Sequence, residues 1–145
     1  MKKILVLNGP NLNLVGIREP EIYGVRGYSE LVDYIRSCGE SLGVEVDVRQ
    51  SNHEGVLIDW IHEALNVFDG LVINAGGYTH TSIAIMDAIK GVGLRAVEVH
   101  LSDIRIRDPF RRLSYVGKVC ERSFIGRGFE SYRLALEYLT LGDSR

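Results

Sequence analysis

A glutamate and a histidine two positions apart form a candidate pair for proton transfer. Glu98 and His100 stand in the largely apolar run AVEVHL. If this run is a β-strand, both side chains point to the same face, as residues i and i+2 of a strand do. A carboxylate beside an imidazole orients the ring and supports its charged form, the arrangement expected of an acid–base histidine. We therefore predict that His100 transfers a proton and that Glu98 is its partner.

The same residues offer a metal site as an alternative. His80 also follows a predicted strand, so His80, Glu98 and His100 could together hold a metal ion and support a metal-dependent hydrolase. No HExxH or CxxC spacing accompanies them, although such compact spacing is typical of zinc sites. We predict that no metal is bound and keep the hydrolase as an alternative.

Tyr23 is a candidate base because of the arginine that precedes it. It lies five residues after Arg18 in a polar loop bounded by glycines. Ionising a tyrosine of the usual pKa, about 10, costs about 4 kcal/mol at pH 7. A nearby arginine reduces this cost because it favours the anion. Arg18 would supply that charge, and Arg107 would supply a second one.

Arginines crowd the loop after the predicted fourth strand and suggest an anion site: Arg105, Arg107, Arg111 and Arg112. The guanidinium fork matches a carboxylate or a phosphate, although a solvated basic rim would have the same composition. Ser82 and the amides of Leu101 and Ser102 could add donors. Neither GxGxxG nor GxxxxGK[ST] occurs, so a nucleotide is not the expected ligand. Gly76 and Gly77 could still wrap a phosphate, which keeps a flavodoxin-like binding or regulatory module as another alternative.

Strand and helix patterns alternate along the chain and place these residues at strand ends. Strands are predicted at 4–8, 44–48, 70–74 and 96–101, with a short fifth one within 115–126. Helices are predicted at 28–42, 57–68, 81–92 and around 132–139. Such alternation gives parallel strands joined by right-handed crossovers. We predict an α/β fold with a doubly wound, open, parallel five-stranded sheet and helices on both faces.

The loop after the first predicted strand is unusually long. It runs from Gly9 to Gly27, whereas a bare connection in such a fold takes about two to six residues. Ligands of open α/β sheets bind beyond the carboxyl ends of the strands, where this loop begins. We predict that residues 15–27 form a lid over the site.

The overall composition predicts one cytoplasmic domain, 1–145. Hydrophobic residues make up 46% of the 145 residues and charged residues 25%, close to globular averages. The net charge of −2 provides no basic field for nucleic acid or anionic lipid. The apolar run at the N-terminus is too short for a signal peptide or a membrane span. Cys38 and Cys120 are far apart and are expected to be reduced.

Five motifs in a fixed order resemble one known family. They are NGPNLNLVGIREPEIYG, QSNHEG, NAGGYTHTS, EVHLSDI and RDPFRRLSY. Their combination resembles the type II 3-dehydroquinate dehydratases, over nearly the whole chain from Ile4 to Leu139. The resemblance implies a flavodoxin-like lyase that serves either the shikimate pathway of aromatic amino acid biosynthesis or the catabolic use of quinate. Such an enzyme converts 3-dehydroquinate into 3-dehydroshikimate by anti elimination through an enolate, with no cofactor, and assembles as a homododecamer built from trimers.

The resemblance also implies a role for each matching residue. Tyr23 would take the proton beside the ketone, and Arg18 would lower the pKa of that tyrosine. Asn11 would position a water against the enolate oxygen. His100, oriented by Glu98, would protonate the departing hydroxyl. The carboxylate and hydroxyls of the substrate would be held by a further set: Asn74, His80, Leu101, Ser102, Arg107 and Arg111.

A few positions match or depart from the family pattern in ways that concern affinity and assembly. Asp87 matches a substrate-pocket residue that a neighbouring subunit presents. Asp103 replaces the usual asparagine and puts a negative charge next to amides expected to hold a carboxylate. Met86 stands where arginine is frequent, and Arg122 and Ser131 where glycine is common. None of the four departures is a proposed catalytic residue, so the predicted reaction does not change.

Overall fold

The computed structural model of the chain describes residues 1–17 and 26–141. The sheet has five parallel strands in the order β2-β1-β3-β4-β5: β1 (Lys3–Asn8), β2 (Glu45–Gln50), β3 (Gly70–Asn74), β4 (Ala96–His100) and β5 (Arg122–Ile125). The long helices in the described residues are α1 (Tyr28–Leu42), α2 (Glu54–Glu63), α3 (Ile83–Val92) and α4 (Glu130–Leu141). This strand order is that of flavodoxin-like folds, so the predicted fold class is confirmed.

Successive side chains of β1 pack into different helical layers. Ile4 and Val6 belong to the core that α1 and α4 cover. Leu5 and Leu7 belong to the core that α2 and α3 cover. All four are at most 1% exposed, which explains why the strand is a continuous apolar run rather than an alternating one. Helices therefore cover both faces of the sheet.

Some element boundaries differ from the predicted ones. The helix predicted at 81–92 begins at Ile83, because Ser82 caps it by accepting a hydrogen bond from the amide of Ile85 at 2.9 Å. The helix predicted at 57–68 spans Glu54–Glu63. The fifth strand is confined to Arg122–Ile125 and follows a short 3₁₀ helix at Val116–Val119.

The strand order reverses between β1 and β3, which is where such folds bind ligands. The two strands end side by side, with Asn8 opposite Asn74. The described part of the predicted lid comprises residues 15–17, 26 and 27. Residues 18–25, with Arg18 and Tyr23, lie outside the described residues. In residues 1–17 and 26–141, no helix has the length and apolar content needed to cross a membrane.

Candidate active site

A cleft opens at the carboxyl ends of β1, β3 and β4. The space in it that water-sized molecules can reach is about 130 Å³, far more than one water molecule needs. Eight residues that the sequence predicts for the site line it: Asn11, Asn74, His80, His100, Leu101, Ser102, Arg107 and Arg111. The rest of the lining is apolar or glycine: Pro10, Leu12, Val15, Gly76, Gly77 and Ile104. The structure thus gathers residues from three separate loops around one space.

Other predicted site residues lie elsewhere. Glu98 stands behind His100 and is 2% exposed. Asp87 is exposed on α3 and does not line the cleft of its own chain. Arg18 and Tyr23 lie outside the described residues, so their predicted roles remain predictions.

Close packing of two loops shapes the floor of the cleft. A Cβ on Gly9 would lie 2.5 Å from the carbonyl oxygen of Ala75, and one on Gly76 would lie 2.8 Å from that of Pro10. Gly76 also has a φ of +61°, a conformation that favours glycine. Asn11 follows with a φ of 71°, which asparagine tolerates better than most residues. The loop that carries Asn11 is therefore pressed against the loop that follows β3.

His100 and Glu98 form a buried pair at the end of β4. Nε2 of His100 lies 2.7 Å from Oε2 of Glu98, and the residues are 4% and 2% exposed. At this distance the ring nitrogen donates to the carboxylate. Because Nε2 is engaged, Nδ1 is the ring nitrogen left to exchange a proton with a ligand. The spacing i and i+2 thus brings the two groups together as the sequence predicts.

Two serine hydroxyls complete the surroundings of the Glu98 carboxylate. Ser114 donates to Oε2 at 2.5 Å, and Ser123, its neighbour across from β5, donates to Oε1 at 2.7 Å. Burial would raise the pKa of the Glu98 carboxyl. The hydrogen bond and charge of His100, together with both hydroxyls, outweigh burial and hold that pKa below its usual value. Glu98 is therefore an anion beside His100 at neutral pH.

His80 is held as a neutral hydrogen-bonding group. Nδ1 of His80 lies 2.8 Å from the carbonyl oxygen of Leu113 and donates to it, so Nε2 is an acceptor when the ring is neutral. Burial lowers the pKa of His80, and the positive charges of His100 and Arg111 lower it further, despite the bond to Leu113. His80 is thus suited to accept a hydrogen bond from a hydroxyl.

Of the four clustered arginines, two line the cleft and two lie outside it. Arg107 and Arg111 line the cleft. Nε of Arg111 lies 3.1 Å from Oδ2 of Asp108, which limits its orientations. Arg105 and Arg112 are exposed and do not line the cleft. Two guanidinium groups, rather than four, are therefore placed to meet an anionic ligand.

The unusual Asp103 is paired within its own loop. Nε and Nη2 of Arg105 both lie 2.9 Å from its carboxylate oxygens, and the amide of Arg105 donates to it as well. These hydrogen bonds hold the pKa of the Asp103 carboxyl below its usual value. The negative charge that the sequence places next to Ser102 is therefore compensated by Arg105.

Ser82 is not available as the anion donor that its position suggests. Its hydroxyl donates to Oε2 of Glu54 at 2.5 Å while it accepts from Ile85. It is 3% exposed and does not line the cleft. Capping of α3, rather than ligand binding, accounts for this serine.

Asn74 is held by residues that were not predicted from the sequence as part of the site. Its Nδ2 donates to the hydroxyl of Tyr132 at 3.1 Å, and its Oδ1 accepts from the amide of Gly76 at 3.2 Å. Tyr132 in turn donates to Asn8 at 2.6 Å. One signal of this hydrogen-bond network was present in the sequence: Asn8 is an amide residue at the end of a strand that is otherwise apolar from Ile4.

The described residues do not assemble the ligands of a metal ion. In residues 1–17 and 26–141, no group of three or more histidine, cysteine, aspartate or glutamate side chains is arranged to hold one. Both oxygens of Glu98 already accept hydrogen bonds from His100 and two serines. The hydrolase alternative therefore finds no support in the donor geometry of His80, Glu98 and His100.

The chain is similar to known proteins of one family over nearly its whole length. The chain matches the family described as Dehydroquinase class II over residues 2–140. It is 49% identical to the 3-dehydroquinate dehydratase of Variovorax paradoxus (strain S110), a match that covers 96% of this chain and 99% of the relative. The crystal structure of type II dehydroquinase from Butyrivibrio crossotus DSM 2876 superimposes with a TM-score of 0.93 at 46% identity, covering 95% and 97% of the two chains. A 3-dehydroquinate dehydratase-like protein from Bifidobacterium longum is more distant, with a TM-score of 0.72 and 29% identity over all of both chains.

Proposed function

Since this chain belongs to the dehydroquinase class II family, we propose that it is a hydro-lyase that converts 3-dehydroquinate into 3-dehydroshikimate. The buried Glu98–His100 pair carries the proposal, because it places a proton donor at a cleft that also holds cationic and amide groups. The reaction breaks one C–H bond and one C–O bond, forms a C=C bond and releases water. It needs a base, an acid and a place for the negative charge that forms on the ketone oxygen.

The cleft suits an anionic hydroxy ketone. Arg107 and Arg111 provide positive charge for the substrate carboxylate, with the amides of Leu101 and Ser102 as further donors. Asn74 and His80 provide hydrogen bonds for hydroxyls. A nucleotide would instead call for a phosphate-binding loop, and the amide of Gly76 is already engaged with Asn74.

His100 acts as the general acid in this proposal. It gives its proton to the departing hydroxyl, so that water rather than hydroxide leaves. The carboxylate of Glu98 fixes the ring and provides a counter-charge while the ring is protonated. The two serine hydroxyls and the 2.7 Å bond to Nε2 hold that carboxylate in place.

Tyr23 acts as the base in this proposal, with Arg18 favouring its ionised form. Both assignments rest on the match of their motif to the family. Asn11 positions a water against the enolate oxygen, where charge develops. Tyr23 lies in the segment proposed as a lid, which would bring the base to the substrate as the cleft closes.

The decisive experiment is an assay of the purified, chelator-treated protein with 3-dehydroquinate, followed by the absorbance of the conjugated enone product. His100→Ala should lower kcat by about 10²–10⁴-fold, the usual contribution of a general acid. His62→Ala is the matched control, since His62 is exposed on α2 and should leave kcat unchanged. Absence of the enone would contradict the proposed reaction, and a normal kcat in His100→Ala would contradict the role of His100.

We also propose a cytoplasmic homododecamer of trimers in which Asp87 reaches the cleft of a neighbouring subunit. Asp87 is exposed and does not line its own cleft. Ile83, one turn earlier on α3, is 51% exposed, which favours a covered surface in the assembly. Twelve chains of 16.2 kDa would give about 194 kDa by light scattering, whereas the mass of a monomer would contradict the proposed assembly.

A further inference from the structure

A chain of hydrogen bonds runs behind the cleft at the ends of two adjacent strands. The hydroxyl of Tyr132, on α4, donates to Oδ1 of Asn8 at 2.6 Å and accepts from Nδ2 of Asn74 at 3.1 Å. Nδ2 of Asn8 then donates to the hydroxyl of Tyr28 at 3.4 Å. Tyr132 and Asn8 are 0% exposed and Asn74 is 4% exposed. In such a buried network each partner strongly restricts the others.

The direction of these bonds leaves one orientation for the amide of Asn74. Its Oδ1 accepts from the amide of Gly76 at 3.2 Å, while its Nδ2 faces the oxygen of Tyr132. After a half-turn of the amide, Nδ2 would face the N–H of Gly76. Oδ1 would then face a hydroxyl whose proton is already given to Asn8. The bond from Gly76 would be lost, and the bond between Asn74 and Tyr132 would persist only if the hydroxyl withdrew its proton from Asn8. In either case a polar group is left unpaired inside the protein, where this is costly.

We propose that Tyr132 is a positioning residue, which holds the amide of Asn74 so that an N–H group faces the substrate. One N–H of Nδ2 is used by Tyr132, and the other remains for a ligand. Through this N–H group Asn74 binds a hydrogen-bond acceptor of the substrate, which is a carboxylate or hydroxyl oxygen. This binding rests on the proposed function, whereas the orientation of the amide does not.

Tyr132 can play this part because its hydroxyl keeps its proton. Burial raises the pKa of Tyr132 well above its usual value. The neutral hydroxyl therefore donates to Asn8 and presents a lone pair to Asn74 over the whole working pH range. A phenylalanine would fill the same space in the core without either bond.

Substrate kinetics of Tyr132→Phe test the proposal. KM for 3-dehydroquinate should rise about 3- to 10-fold, the usual effect of one neutral hydrogen bond. The kcat value should change less than about twofold, because the lost interaction concerns binding. In an Asn74→Ala background the same substitution should change KM less than about twofold, because Tyr132 acts through Asn74. Additive effects of the two substitutions on KM would overturn the proposal.

Tyr138→Phe is the matched control. Tyr138 lies on the same helix, and its hydroxyl donates to Oε1 of Glu121 at 3.1 Å, on an exposed part of the surface. Removal of this hydroxyl should leave KM and kcat unchanged. A rise in KM equal to that of Tyr132→Phe would show that any lost hydroxyl on α4 has this effect, and would overturn the specific role of Tyr132.

The side-chain amide signals of Asn74 in ¹H–¹⁵N NMR provide a test without substrate. Both signals should move in Tyr132→Phe and stay in place in Tyr138→Phe. Unmoved signals in Tyr132→Phe would overturn the proposal even in an active dehydratase. Moved signals in a protein that does not dehydrate 3-dehydroquinate would overturn the proposed function and support the positioning role.

Asn8→Val gives an independent variant in case Tyr132→Phe does not fold. Valine suits the buried strand β1 but removes the acceptor of the Tyr132 proton. That proton is then free to turn towards Asn74, which favours the reversed amide. KM should rise and the Asn74 signals should move, as for Tyr132→Phe. Wild-type KM and unmoved signals in Asn8→Val would overturn the proposal.

Discussion

Gly117→Ala should damage catalysis at a position that does not line the cleft. Gly117 lies in the 3₁₀ helix Val116–Val119, and an added Cβ would lie 2.7 Å from Oε1 of Glu98. Since ordinary contact begins at 3.4 Å, the carboxylate must retreat by about 0.7 Å. It cannot swing away freely, because His100 and Ser123 both hold it at 2.7 Å.

The magnitude follows from that displacement. A shift of about 1 Å in a catalytic group costs about 10²-fold in rate, so a shift of about 0.7 Å predicts a kcat about 10- to 100-fold below that of the wild type. Forcing an extra methyl group into a packed site also lowers the free energy of unfolding by about 1–3 kcal/mol. Steady-state kinetics with 3-dehydroquinate and urea unfolding measure the two effects.

The same substitution at Gly55 is the control. Gly55 lies on α2, and a Cβ there would meet nothing within 4 Å. Gly55→Ala should therefore keep the wild-type kcat and raise the free energy of unfolding by about 0.5–1 kcal/mol, because alanine favours the helix. A wild-type kcat and a wild-type stability in Gly117→Ala would contradict this prediction, since they would mean that the Glu98 carboxylate is not held rigidly.

The other predictions concern charge and the lid. The pKa of Glu98 is lower in the folded protein than in the unfolded chain. Its carboxylate therefore stabilises the fold at pH values above the unfolded pKa of about 4.3. This contribution is lost as the pH falls through the lower pKa of the folded state. The stability difference between wild type and Glu98→Gln should thus shrink between pH 7 and pH 3 in urea unfolding, and a constant difference would be evidence against the ionised Glu98. Arg105→Ala should raise KM about two- to threefold, because it leaves the Asp103 carboxylate unpaired. Adding Asp103→Asn should restore the wild-type KM. A KM that neither change affects would count against the idea that Arg105 compensates the charge of Asp103. A substrate analogue should slow tryptic cleavage after Arg18 and Arg26, and equal rates would contradict the lid.

Local patterns predicted the part of the site that depends on neighbours in sequence. The pair Glu98 and His100 follows from the period of a strand, and the apolar run of β1 follows from burial on both faces. The pairing of Asp103 with Arg105 has the same short range and could have been inferred from the sequence. The expectation for Ser82 was wrong because its cap and its bond to Glu54 use the hydroxyl.

Contacts between distant parts of the chain could not be predicted in the same way. Tyr132 meets Asn74 across 58 positions, and Ser123 meets Glu98 across 25. These pairs exist only because α4 packs on the sheet and β5 aligns with β4. The strand β5 was also hard to delimit, since its first two residues, Arg122 and Ser123, are exposed at the sheet edge and interrupt any apolar run.

The stereochemistry of water loss shows whether a base and His100 act on opposite faces of the substrate. The substrate for this measurement is 3-dehydroquinate with a single deuterium on the methylene carbon beside the ketone, placed anti to the departing hydroxyl. A base on one face and His100 as acid on the other predict that the deuterium is lost, so mass spectrometry should find unlabelled 3-dehydroshikimate. A product that retains the deuterium would contradict the anti elimination, and no product at all would contradict the dehydratase.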